Sequence, residues 1–121
     1  ATSQGGLQFI QGERWFSEQF LYLLDRLAAI PEPTEPQGSL LDHSIVLWMT
    51  EVGDRITHHC EDMPIVIAGG GSGRLRPGRY LHYTGESHGK LLTSICHAMG
   101  LDNPSFGNAT HGEGELPGLL V

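Results

Sequence analysis

The chain of 121 residues carries 14 acidic against 7 basic side chains, a formal charge of -7, and 17 glycines with only 17% charged residues. That length suits one ordinary domain, and the acidic balance argues against nucleic acid or an anionic membrane surface as the main partner, since both need clustered positive charge. The longest apolar run, Ile45 to Met49, is a strand's length and far short of the ~20 residues that span a bilayer, so no transmembrane segment is expected.

In chain order, residues 1–12 are expected as a flexible N-terminal arm, with neither a charged n-region nor an apolar h-region to mark a targeting segment. From Glu13 to Ile30, Phe16, Phe20, Leu23, Leu24 and Leu27 recur at three- and four-residue spacing, which predicts an amphipathic helix. Pro31 ends it, and residues 31–38, with three prolines, read as a stiff linker. Ser44 to Thr50 and Pro64 to Ala68 are nearly continuous apolar runs, the pattern of strands covered on both faces, as in parallel sheets packed by helices. Arg79 to Tyr83 alternates briefly and is expected as an edge strand. A second helix is expected over His88 to Met99, with Leu92, Ile95, Cys96 and Met99 on one stripe, Ser87 as its cap and Gly100 closing it. Residues 104–121 are Gly, Pro and Asn rich and are expected as an irregular tail over a surface.

Residues 13–103 therefore predict a partial α/β domain, half of a three-layer sandwich. Two buried strands alone leave both faces and both edges open. The sheet is expected to be completed by material outside the chain: the remainder of a longer precursor, a partner subunit or a second copy.

The chemistry-bearing residues concentrate just past the first strand, where open α/β sheets place their ligands. Glu51, Asp54, His58, His59 and Cys60 fall within one short polar loop and are the candidate metal ligands, imidazole and thiolate suiting zinc and carboxylates suiting harder ions. Solvated polar loop residues are the competing reading. Gly69 to Gly73 lacks both a phosphate-cradle ending and a following helix, so glycines for a close-packed crossing are favoured over a nucleotide site. Arg74, Arg76 and Arg79 are the candidate contacts for an anion or an acidic partner. Cys60 and Cys96 allow one disulfide or none. No His-Glu-x-x-His pattern occurs.

Several consecutive motifs carry a resemblance. They are Leu40-Leu41-Asp42-His43-Ser44-Ile45-Val46-Leu47-Trp48, Thr50-Glu51-Val52-Gly53-Asp54, and Asp62-Met63-Pro64-Ile65-Val66-Ile67-Ala68-Gly69-Gly70-Gly71. Gly73-Arg74-Leu75-Arg76-Pro77-Gly78-Arg79-Tyr80, Phe106-Gly107 and Leu116-Pro117-Gly118-Leu119-Leu120 continue it. The chain resembles the C-terminal part of a large bacterial family of exported proteins of uncharacterised function, itself similar to the sulfatase and alkaline-phosphatase-like metallohydrolases. The resemblance implies an alkaline-phosphatase-like three-layer α/β/α sandwich, an extracytoplasmic or periplasmic location, and a divalent metal ion (zinc, calcium or iron) as cofactor. In the hydrolases an Asp-His-Gly follows the strand matched by Ile45 to Thr50. Here Glu51 keeps the carboxylate and Val52 replaces the imidazole. Members of the closer family show His-x-His before the next strand; His58 matches the first histidine, and Cys60 stands in place of the second. The hydrolases' nucleophile would lie upstream of Ala1, so no residue is carried over to that role.

Two functions follow from these readings. One is a non-catalytic accessory or structural subunit or fragment that packs against partner chains. The other is the C-terminal segment of a metal-dependent phosphoester or sulfoester hydrolase-like protein.

Overall fold

The computed structural model describes residues 4–33, 37–54 and 56–121. They divide into two units, residues 1–40 and 41–121. The described residues form a mixed α/β protein with two α-helices and one two-stranded antiparallel sheet.

The first unit is built on α1 (Gln4–Ala28), which takes in the predicted helix and most of the expected N-terminal arm. Arg14 supports it through an ion pair with Glu18 one turn on, at 3.0 Å, though so exposed a pair contributes little. Trp15 and Phe16 meet edge to face with ring centroids 5.1 Å apart. The helix tightens at its end, where Ile30 N–H donates to Leu27 O at 3.3 Å, and Pro31 then has no N–H to continue it. Chain on either side of the expected linker folds back antiparallel: Pro31 bridges Ser39, and Leu40 N–H donates to Ile30 O at 2.8 Å. Thr34, Glu35 and Pro36, at the centre of the expected linker, lie outside the described residues. No residue of α1 is buried.

In the second unit, β1 (Val46–Met49) and β2 (Ile65–Ala68) form where the apolar runs predict them. They pair antiparallel, Val46 opposite Ala68 and Met49 opposite Ile65, which corrects the expected parallel arrangement. The reason lies in the connection. A parallel pair needs a crossover, usually helical, that carries the chain back to the same end of the sheet. Residues 50–64 instead contain a small hairpin with Asp54 bridging His59, and the chain returns from the same end it left.

The glycine run after β2 is a close crossing, as expected. Gly70 and Gly71 N–H groups donate to Leu41 O and Ser44 O, each at 3.1 Å. A Cβ on Gly70 would lie 2.5 Å from Asp42 O, an impossible approach. The expected edge strand at Arg79 to Tyr83 does not form; these residues are irregular. Arg79 and Tyr83 turn their side chains to main-chain carbonyls of the C-terminal tail instead.

The second helix, α2 (His88–Ala98), starts at Ser87, whose Oγ accepts from Gly89 N–H at 3.1 Å. It closes with Leu101 N–H donating to Cys96 O at 3.0 Å across Gly100, whose φ is +84°. Both termini agree with the sequence reading; the buried face does not. Leu91, Thr93 and Ser94 are the buried residues, Ile95 is partly buried against the core, and Met99 is exposed. The polar pair can face inward because Thr93 and Ser94 hydroxyls donate to Gly89 O and Lys90 O at 2.9 and 2.8 Å, satisfying themselves on their own helix.

Leu91 forms the buried core with Leu116 and Leu119 of the tail, flanked by Ile65, Ile67, Leu75, Tyr83, Ile95 and Leu120. The tail, expected to lie over a surface, thus supplies two of the three core leucines. Apart from one turn of 3-10 helix at Ala109–His111 it is irregular, and it ends with Leu75 bridging Leu120.

Candidate functional site

The five candidate ligands sit on the hairpin that follows β1. Thr50 Oγ1 donates to Val52 O at 2.8 Å and opens the turn. Gly53 N–H then donates to His59 O at 2.8 Å. Gly53 has to be glycine, since a Cβ there would fall 1.8 Å from Glu61 O. Asp54 Oδ1 accepts from Ile56 N–H at 2.7 Å, the local turn that aspartate side chains favour. His58 completes the tip with a φ of +55°, in the left-handed region. Cys60 Sγ lies 3.8 Å from Glu51 O across the base of the hairpin.

Glu51, Asp54, His58, His59 and Cys60 are therefore on one short element, and all are exposed. Arg55, between them, lies outside the described residues. Among the described residues no three His, Cys, Asp or Glu side chains are grouped so as to hold a metal ion. A zinc shell needs four donors around one point, and calcium needs six to eight. Cys60 and Cys96 are both free thiols.

Of the three arginines, Arg74 and Arg76 are exposed, while Arg79 is committed within the fold. Its guanidinium donates to Arg76 O, Gly118 O and Leu119 O at 2.8, 2.7 and 2.8 Å. Three of the five N–H donors of the side chain are thereby used on main-chain carbonyls, which makes Arg79 a clamp for the tail.

A broad groove of about 1030 Å3 runs beside β2, with Cys60 and Arg76 on its walls, His88 and Tyr83 further along, and Leu91 and Leu119 in its lining. Tyr83 donates its hydroxyl to Pro117 O at 3.0 Å. Burial raises its phenol above the usual value, Glu86 adding to the effect and Arg79 opposing it. The sequence did not reveal this groove, because its wall comes from irregular residues 75–88 and from the tail leucines.

His97 is engaged at both ring nitrogens. Its Nδ1 is 2.6 Å from Glu115 Oε1, and its Nε2 is 2.7 Å from Asn103 O. The hydrogen bond to Asn103 O and then that to Glu115 raise its pKa above the ordinary 6.5. Both partners lie beyond the helix, in a stretch whose sequence has no periodicity to place them. No helix among the described residues is long and apolar enough to cross a membrane. No protein-family model, no curated protein and no solved structure matches the chain.

Proposed function

We propose that the chain is a non-catalytic accessory or structural piece of an alkaline-phosphatase-like scaffold, packing against partner chains or against the remainder of a longer chain. The supporting observation is the apolar surface of α1, a 25-residue helix with no buried residue. Phe9, Trp15, Phe16 and Tyr22 are each 50–64% exposed, which leaves on the order of 400 Å2 of aromatic surface in water. Leu7, Ile10, Leu21 and Leu23 add to it at 45–57% exposure. The sum approaches the ~800 Å2 that one partner buries in a standard interface. The three-leucine core points the same way, being small for a domain that stands alone. The three-layer sandwich belongs to this proposal; it rests on the apolar strands and the family resemblance. So does an extracytoplasmic location.

The test is sedimentation velocity on the purified chain, with intact mass measured on the same sample. Oligomers or aggregates at micromolar concentration are expected. A cooperatively folding ~13 kDa monomer would sink the proposal.

A second reading has one observation in its favour, the five potential ligands gathered on the hairpin directly after β1. The chain would then be the C-terminal segment of a metal-dependent ester hydrolase-like protein, with Glu51, His58 and Cys60 as part of a divalent metal shell of zinc, calcium or iron. Such an ion polarises a phosphoryl or sulfuryl oxygen. The remaining ligands and the nucleophile would come from outside the described residues.

A further inference from the structure

We infer that residues 103–116 form a strap over α2 that His97 latches when protonated and releases when neutral. Two acceptors from different parts of the strap face the two ring nitrogens of one imidazole, Glu115 Oε1 at Nδ1 and Asn103 O at Nε2. An imidazolium has two N–H donors and fills both contacts. A neutral ring has one, so whichever tautomer forms, one contact turns a nitrogen lone pair toward an oxygen. Loss of a single proton therefore sets ring and strap against each other at one end or the other.

The surrounding charges favour the latched form. Glu115 on the strap and Asp102 just after α2 both act to keep the ring protonated, with burial as the opposing influence. On α2 itself, Lys90 is paired with Glu86 at 2.7 Å. The sign follows: a histidine whose folded pKa is raised contributes stability that is fully present below its ordinary value, near 6.5, and is lost as pH rises through the folded value.

The strap has a natural hinge. Beyond it, Arg79 holds Gly118 O and Leu119 O, and Tyr83 holds Pro117 O. Burial raises the Tyr83 phenol above its ordinary value, so its bond to Pro117 O keeps its proton through the range in which His97 titrates. These contacts bound the release at residue 117, Ser87 Oγ holds the centre of the strap by donating to His111 O, and Leu116, next to Glu115, lines the groove.

Amide hydrogen exchange on the full chain between pH 5.5 and 8.5, corrected for intrinsic exchange, tests this. The probes are Gly114 N–H, bonded to Pro104 O, and Leu116 N–H, bonded to Ser94 Oγ. Their protection should fall as His97 titrates, by up to about tenfold per pH unit, the slope of one linked proton. Leu101 N–H, bonded within the close of α2, should keep its protection. His97→Gln should abolish the pH dependence, and Glu115→Gln should move its midpoint to lower pH if the first variant does not fold. Constant protection across the range, pH dependence that survives in His97→Gln or keeps its midpoint in Glu115→Gln, or parallel loss at Leu101 would each overturn the proposal.

Discussion

Thr93 and Ser94 are the most completely buried side chains among the described residues, both at 0% exposure, and they differ in what depends on them. The Thr93 hydroxyl donates to Gly89 O within its own helix. The Ser94 hydroxyl donates to Lys90 O and also accepts from Leu116 N–H at 2.9 Å, joining α2 to the tail. Ser94→Ala leaves a buried main-chain donor without its acceptor, a loss of about 1–3 kcal/mol. Thr93→Val removes a group whose only described partner lies in its own helix and should cost less, under about 1 kcal/mol. Urea unfolding of the two variants checks the difference; equal costs would show that Leu116 N–H does not rely on Ser94.

Among the elements, the hairpin after β1 is where the metal reading meets its test. If Glu51 and His58 belong to a metal shell, Glu51→Ala and His58→Ala should each lower bound metal measured by elemental mass spectrometry. Neither should change the far-ultraviolet spectrum, because both side chains are exposed. Unchanged stoichiometry in both would remove them from the shell. That the five residues share one element was legible from their closeness in sequence; whether side chains converge on a point depends on turn geometry, which residue types do not encode. Strand positions were legible for a similar reason, since apolar runs mark burial directly. The direction of pairing was not, because it depends on the path of residues 50–64. The buried face of α2 was misread because hydrophobicity favoured Leu92, Cys96 and Met99, while Thr93 and Ser94 hid their polarity in bonds to their own helix.

At the scale of the molecule, the second unit owes its core to residues distant in sequence. Leu116 and Leu119 reach Leu91, and Arg79 holds the tail that carries them. A Gly- and Pro-rich tail without periodicity gives no sign of this, since it is positioned by side-chain bonds to its carbonyls rather than by a regular element. The first unit has the opposite character, a regular helix legible from its spacing but with no buried side chain. The association expected in sedimentation follows from that contrast: one unit has found an interior, and the other presents apolar surface to water.

The chain has two tryptophans, Trp15 in α1 and Trp48 in β1, so each unit carries its own fluorophore. Trp15 is 54% exposed, whereas Trp48 is half-buried within the sheet. Their emission is a sum of a wetter and a drier indole. A partner that settled on α1 would shift the first toward the blue and leave the second as it was, so Trp48 would be the internal reference in a titration of candidate partners.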